Sequence, residues 1–359
     1  YTSPHIRDYT ERIAVSGGNI PGGKFAGIIE ELKPSILSHE PRITFFEAIT
    51  TAAIYHFLEQ NTTVNVLEIG LGGRLDATNA TTPELSVITR IGYDHTQTLG
   101  KTLLSIAREK CGILRHEKPA VVGPQRPRAR SAIVKSADEI GARPFCWGRD
   151  FTAELNRQSD KGLEGRYKGI RLQTDFRLHL LGAHQIENAA TAIAASEVML
   201  TDMDAKTIAE GLENVRLDAR IEVVGKKPLI IVDMSHNAES AVTLSKALKE
   251  HFSGHPGRVL LIGISRHKNR SAILKTLSPF FTEIYVTRAG FARAEPSRRV
   301  LNTCAKYHSH CIEIPSVSQA LSEIIPRLKQ DDLLVVTGSA YIAGEALDRL
   351  DTRKRTDVC

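Results

Sequence analysis

No stretch of this 359-residue chain approaches the ~18 consecutive apolar residues that a membrane-spanning helix needs, so no such helix is expected. The first residues, YTSPHIRDYTER, are polar and charged where a secretory signal would be apolar. Cysteine is sparse. Cys111, Cys146, Cys304, Cys311 and Cys359 form an odd set without a C-x-x-C spacing. That excludes a disulfide framework and a thiolate zinc site, and it fits a reducing cytoplasm. Internal repeats and low-complexity tracts are also missing. A strong charge of one sign is lacking too: 47 basic residues are interspersed with 41 acidic ones for a net +6, and only RKR at 353–355 clusters. Such a weak basic field suits small anionic substrates and gives no footprint for nucleic acid.

What is present is an ordinary globular balance, 42% apolar and 25% charged, over a length suited to two domains. Residues 24–38 and 43–60 read as helices, the second with apolar positions Ile43, Phe46, Ile49, Ala53 and Phe57 near helical spacing. Short β-branched runs at 63–69 and 85–91 read as buried parallel strands. A helix at 102–114, the strand KPAVVG, a helix opened by Pro127 and a strand at 143–147 continue the alternation. Alternating strands and helices imply a parallel sheet covered on both faces. Residues 149–180 alternate polar and apolar and imply an antiparallel ribbon on that sheet's edge, followed by helices at 186–199 and 204–214. After a hinge at 214–228 the rhythm restarts with strands at 229–233, 258–264, 283–287 and 332–338 and helices at 236–252, 270–279 and 317–328. The expected fold class is therefore α/β with two domains, 1–217 and a smaller Rossmann-like 218–359.

Ligands in open parallel sheets sit beyond the carboxyl ends of the strands. Glu68 ends one expected strand, and Asp94 and His95 follow another, so a carboxylate and an imidazole would share a rim that can hold a hard divalent ion. The bland alternative makes Glu68 a turn cap and His95 a loop histidine. GLGGRLDATN (70–79) lacks the third glycine of a dinucleotide fingerprint. Its glycines would let a flat substrate approach the backbone, and Asp76 and Asn79 read as turn residues facing that pocket. Lys110 is either a solvated helix charge or, neutral and facing two metal ligands, a site for carbamate formation. In LIIVDMSHN, Asp233 suits ribose hydroxyls, or else Asp233 or Ser235 caps the helix that His236 and Asn237 open. Arg220 could reach a phosphate or be a surface residue.

YTSPH, FFEA, EIGLGGRLDATN, DHTQTLG, TLLSIAREKCGI, GAHQIENAATA, ARIEVV, DMSHN and VTGSAYIAGE together resemble the folylpolyglutamate synthase/dihydrofolate synthase family of the Mur ligase group, from Tyr1 to about Leu347. The resemblance implies a P-loop-like, mostly parallel first domain and a C-terminal glutamate-ligase domain. It implies an ATP-dependent ligase that joins L-glutamate to dihydropteroate or reduced folates through an acyl phosphate. Glu68 and His95 would be ligands of two magnesium ions, Ser3 a hydroxyl ligand of the first, and carbamylated Lys110 the completion of the second. Thr44, Phe45, Phe46 and Glu47, with Leu75, Asp76 and Ala77, would line a pterin pocket. Asn188, Arg220, Asp233 and His236 would contact ATP. A small-molecule enzyme of this kind is expected to be a cytoplasmic monomer, with no nucleic-acid or membrane partner.

Three departures from the family pattern carry expectations. The family's G-T-N-G-K-G-S phosphate loop lies upstream of YTSPH and is not in this chain, which implies either a fragment of a longer protein or weakened ATP binding. His267-Lys268-Asn269 stands where the family has Asp-Lys-Asp, and Ala238 replaces the proline after Asn237. The rivals are a Mur-type ligase for another acceptor and a non-catalytic relative that has kept the fold.

Overall fold

The computed structural model describes residues 1–350; Cys359 and the RKR cluster lie outside them. By contacts the chain forms two compact units. Tyr1–Ile91, His95–Ala120 and Arg126–Pro144 make up the first, and Gly92–Asp94, Val121–Gln125 and the chain from Phe145 onward the second. Among the described residues no helix is long and apolar enough to cross a membrane.

The first unit opens with a hairpin, β1 (Ala14–Val15) and β2 (Gly18–Asn19), then α1 (Gly22–Ser38) and α2 (Phe45–Glu59). Ile49, Ala52, Ala53 and Phe57 repeat at helical spacing along α2 and bury against Ile13 and Ile28. Thr44 starts α2 as its N-cap, so Ile43 lies before the helix that the apolar spacing assigned to it.

Residues 63–69 are not the expected buried strand. Their backbone bonds to Tyr1: Tyr1 N donates to Val66 O (2.8 Å) and Glu68 N to Tyr1 O (3.0 Å). Val64 and Val66 are 47% and 77% exposed, and no ladder forms here among the described residues. β-branched residues favour an extended chain, but a buried strand also needs a ladder partner and cover on both faces.

The other expected elements of this region form: β3 (Ser86–Ile88), α4 (Leu103–Lys110), β4 (Pro119–Val122), α5 (Pro127–Ile140) and β5 (Arg143–Cys146), with one short helix besides, α3 (Thr96–Leu99), in the loop before α4. The strands lie in the order β3-β4-β5. Pro127 sits in the first turn of α5, where its missing N–H costs nothing, and Gly141 ends that helix at φ 78°.

In the second unit, β6 (Thr152–Ser159), β7 (Gly162–Lys168) and β8 (Gln173–Leu178) form the expected antiparallel ribbon. It is a separate three-stranded sheet and does not extend a parallel one, because its strands pair only with one another. It groups by contact with α6 (His184–Met199) and α7 (Ala205–Glu213). Glu197 of α6, 3% exposed, ties the β7–β8 turn to that helix. It accepts from the amides of Ile170 (3.2 Å), Arg171 (2.9 Å) and Leu172 (2.7 Å) and from the Tyr167 hydroxyl. Burial first, and then the Glu197 carboxylate, push the Tyr167 phenol far above its usual range. Glu197→Ala would orphan these donors, so we expect a loss of about 3 kcal/mol in urea unfolding. An unchanged midpoint would show that the turn does not depend on Glu197.

The remaining elements are β9 (Glu222–Lys226), β10 (Leu229–Val232), α8 (Ala238–His251), β11 (Arg258–Ile262), α9 (Arg270–Leu277), β12 (Glu283–Val286), α10 (Ser297–Cys304), β13 (Cys311–Glu313), α11 (Val317–Ile324), β14 (Leu333–Thr337) and α12 (Ala340–Leu350). Their sheet runs β13-β12-β11-β14-β10-β9, parallel except for β9 against β10. Part of the expected hinge at 214–228, Glu222–Lys226, is therefore an edge strand. Its polarity reflects an edge position with one side open, not a linker. Helices α10 and α12 and the three-residue strand β13 are additional to the expected elements.

Candidate functional site

In the first unit, the loop after Glu68 closes around Asp76. The Asp76 carboxylate accepts from the amides of Gly70 (3.1 Å), Leu71 (2.9 Å) and Thr78 (3.0 Å) and from the Thr78 hydroxyl (2.7 Å). Gly72 has φ 74°, a left-handed conformation that glycine adopts without strain. A Cβ on Gly73 would lie 2.9 Å from Glu109 O and 3.0 Å from Lys110 O, and one on Gly70 would lie 2.5 Å from the Phe46 ring. Close approach at Gly73 and Gly70 is thus made by α4 and Phe46. Arg74 strengthens the docking: its amide donates to Glu109 O (3.2 Å) and its guanidinium pairs with the Glu109 carboxylate (2.9 Å).

This docking brings the segment that follows Glu68 onto the turn that carries Lys110, the last residue of α4, which is half-buried. Glu68 itself is exposed, and its Oε2 accepts from the Ser3 amide at 2.7 Å. His95 is exposed at the start of α3 in a left-handed conformation, φ 49° and ψ 35°. A non-glycine residue held there is a local strain of the kind concentrated at functional positions. Among the described residues no three of His, Cys, Asp and Glu group to hold a metal ion. The expected donor set takes only Glu68 and His95 from those types. It adds a serine hydroxyl and a carbamate, hard donors that fit magnesium, and the bond from the Ser3 backbone amide to Glu68 brings these two residues together.

The residues expected around a pterin have defined places. Thr44 and Glu47 form a capping box: Glu47 Oε2 accepts from the Thr44 amide and hydroxyl, both at 2.7 Å, and the Glu47 amide donates back at 3.2 Å. The Thr44 hydroxyl and amide hold the Glu47 carboxyl below its usual range. T-x-x-E is the sequence signature of this box, so its structural role was legible and was missed. Phe46 packs on Gly70 and on Tyr1, with ring centroids 5.8 Å apart. Phe45 is 60% exposed with the Arg12 guanidinium 5.5 Å over its ring, Leu75 is 87% exposed, and Ala77 opens a 3-10 turn that Asp76 caps.

In the second unit, Asp233 directly follows β10 and is 5% exposed. It accepts from Ser235 N (2.8 Å) and Ile221 N (3.1 Å). Met234 N donates to Ala219 O at 2.9 Å, and Ala219 and Ile221 both have φ 53°. Asp233 thus fastens the strained turn on which exposed Arg220 stands. The cap of α8 is neither Asp233 nor Ser235 but Asn237, whose Oδ1 accepts from Ser240 N at 2.8 Å. Ala238 follows in the first turn, where the absence of a proline is harmless. We expect Asp233→Ala to cost about 2–3 kcal/mol in urea unfolding without nucleotide, because two buried amides lose their acceptor. A side chain reserved for ribose would leave that midpoint unchanged.

Asp94 is the focus of a polar cluster in the same unit. Lys268 Nζ donates to its Oδ1 (2.7 Å) and Asn237 Nδ2 to its Oδ2 (3.0 Å), while His236 Nε2 lies 3.3 Å from Oδ2. Burial works to raise the Asp94 carboxyl, but the bonds from His236, Lys268 and Asn237 outweigh it and hold the group well below its usual range. The His236 Nδ1 faces Met234 O at 3.1 Å. The departure at 267–269 is therefore compatible with order: Lys268 binds Asp94, and Asn269 caps α9 by accepting from Ala272 N at 3.1 Å. Lys268 and Asn237 were missed as partners of Asp94, since pairing at that sequence distance leaves no local signal. Asn188 is exposed on α6, with its amide donating to Gln185 Oε1 at 2.9 Å.

The pattern of the Mur ligase middle domain matches residues 13–196, and that of the Mur ligase glutamate ligase domain matches 219–340. A dihydrofolate synthase/folylpolyglutamate synthase from Escherichia coli strain K12 is 31% identical over 362 residues, covering 99% of this chain and 80% of that one. The chain belongs to the folylpolyglutamate synthase/dihydrofolate synthase family of Mur ligases. It spans 42% of the length of another relative, a probable bifunctional folylpolyglutamate synthase/dihydropteroate synthase from Haloferax volcanii, at 29% identity over 96% of this chain. Among solved Mur ligases of this family, E. coli FolC in complex with DHPP and ADP superposes with a TM-score of 0.88 at 30% identity, over 99% of this chain and 82% of that one. A bifunctional folylpolyglutamate synthase/dihydrofolate synthase with Mn, AMPPNP and L-glutamate bound superposes with a TM-score of 0.84 at 28% identity, over 98% of this chain and 82% of that one.

Proposed function

We propose that the chain is an ATP-dependent amide ligase that joins L-glutamate to the carboxylate of dihydropteroate, of reduced folates, or of both. The observation that carries this reading is the Glu68–Ser3 contact beside a glycine loop docked on the Lys110 turn, in a member of this family. Relatives that hold ADP with DHPP, and Mn with AMPPNP and L-glutamate, support the same substrate classes.

In the reaction, a carboxylate oxygen of the folate attacks the γ-phosphorus of ATP. ADP departs and an acyl phosphate forms. The glutamate amine then attacks the acyl carbon, the C–O bond to phosphate breaks, the amine loses its proton and an amide remains. Glu68 and His95 would be ligands of two magnesium ions, with the Ser3 hydroxyl a ligand of the first and carbamylated Lys110 completing the site of the second. Bound there, magnesium supplies charge neutralisation for the phosphoryl oxygens. Phe45, Phe46 and Leu75 offer the apolar surface that a flat pterin requires, while Thr44, Glu47, Asp76 and Ala77 shape the backbone around it. Arg220, presented on the turn that Asp233 fastens, places a cation for a phosphate. Asn188 and His236 add polar contacts for the nucleotide. We take 1–217 as the ATPase domain and 218–359 as the glutamate-ligase domain of a cytoplasmic monomer that acts on small molecules.

The test is product formation. Protein, ATP, magnesium and L-glutamate are incubated with dihydropteroate or, separately, with tetrahydrofolate. The expected product is the acceptor plus one glutamyl residue, with one phosphate released per amide. Phosphate release that is independent of both acceptors would reject the reading.

A further inference from the structure

Cys304 closes α10 and Cys311 opens β13, the edge strand of the six-stranded sheet. Their sulfur atoms lie 2.7 Å apart, well inside the contact distance of two non-bonded sulfurs. Neither end of the pair is loose. Cys304 is fully buried in the core, and its carbonyl accepts from the amides of Tyr307 (2.8 Å) and His308 (3.0 Å), so the chain turns back at once. Cys311 is held in register with Ile284 of buried β12. The loop between them is pinned by His308, whose Nε2 lies 3.1 Å from Phe281 O and whose Nδ1 lies 3.2 Å from His310 O. With both ring nitrogens turned to carbonyls, His308 is not placed to join the two sulfurs around a metal ion. The sequence spacing gave no sign of a cysteine pair; only the fold brings these two together.

We propose that Cys304 and Cys311 form a reversible intramolecular disulfide on exposure to a hydroperoxide. Cys311, half-buried, is the sulfur that the oxidant reaches. Its sulfur attacks the peroxide oxygen, the O–O bond breaks, and a sulfenic acid and an alcohol (or water, from hydrogen peroxide) result. The Cys304 sulfur then attacks the sulfenic sulfur. The S–S bond forms, the S–O bond breaks, and the Cys304 proton leaves with the departing hydroxide as water. Two thiols are oxidised and one peroxide is reduced. Burial raises the Cys304 thiol far above its usual range, so its attack depends on the 2.7 Å approach of the two sulfurs and not on thiolate character. The product staples the sheet's edge strand to its flanking helix through a short loop, a constraint on the unfolded chain.

The experiment treats the whole protein with hydrogen peroxide, blocks remaining thiols with an alkylating agent and digests it with trypsin without reductant. Cleavage after Arg299, Lys306 and Arg327 puts the two cysteines in different peptides, 300–306 and 307–327. The expected result is these two peptides linked, separated by dithiothreitol, with the buried Cys111 and Cys146 alkylated only after denaturation. The oxidised protein should melt roughly 5 °C higher than the reduced one, and Cys311→Ser and Cys304→Ala should each abolish that rise. Peptides that remain unlinked, or Cys311 carried to sulfinic acid while Cys304 stays a thiol, would overturn the proposal.

Discussion

Glu68→Gln lowers kcat for amide formation by at least ~100-fold and leaves the urea midpoint of the protein where it was. A factor of that size corresponds to about 2.7 kcal/mol of transition-state stabilisation, within the range one charge on a transferring phosphoryl group supplies. The two halves of the expectation have separate grounds. Glu68 is exposed, and its Oε2 accepts from the Ser3 amide, a bond that a glutamine oxygen also accepts. Substitution at an exposed position that keeps this bond is expected to change stability little. The amide side chain does, however, lose the negative charge that a divalent cation needs from its ligand. Steady-state kinetics over a range of magnesium concentrations checks the assignment. A wild-type kcat in the mutant would remove Glu68 from the metal site, and a lowered urea midpoint would recast it as a residue that holds Ser3 in place.

Lys110→Ala should reduce turnover by ~1000-fold or more, with about tenfold recovery in acetate. Carbamate formation joins the Lys110 nitrogen to the carbon of carbon dioxide and releases a proton, converting a cation into an anion. Deleting it removes an entire ligand, and a small carboxylic acid can enter the space left and supply similar oxygens. The position favours order over solvent freedom: Lys110 is half-buried at the end of α4, and its carbonyl lies against Gly73 of the loop that Asp76 closes. Lys110→Arg is the companion variant. It keeps a positive charge but cannot be carbamylated at neutral pH, so it should be as inactive as Lys110→Ala and should gain nothing from acetate. Activity in the arginine variant would mean that a cation, not a carbamate, serves there.

The helices were the most legible part of the fold because their signals are local. Proline in the first turn and glycine in the left-handed stop bracket α5, and the Thr44–Glu47 box starts α2. Each is an interaction within a few residues, which the sequence prints directly. The strands of the second unit were legible because runs such as LIIV and LLVVT are buried on both faces. Residues 63–69 show the limit: TVNVLEI has strand composition, yet its valines face solvent. Composition sets how extended a chain is, and a neighbour decides whether it becomes a strand. The same holds for β9, whose polarity suggested a linker until its antiparallel pairing with β10 placed it at an edge.

For the candidate site, the sequence by itself determined which chemistry is at hand. The carboxylate of Glu68, the imidazole of His95, the amine of Lys110 and the second-unit pair Arg220 and Asp233 all stand in the motifs that mark the family, in their order along the chain. Only the tertiary structure decided what each of several polar side chains is already doing. Asp76 closes its own loop, Thr44 and Glu47 cap α2, and Asp233 fastens the turn beneath Arg220. Asp94 gathers Lys268 and Asn237 from far along the chain, and Cys304 meets Cys311 across a helix and an edge strand. The reason is physical: a motif fixes residue types and local spacing. Which donors a carboxylate satisfies, and which sulfurs meet, depends on backbones that folding brings together from elsewhere.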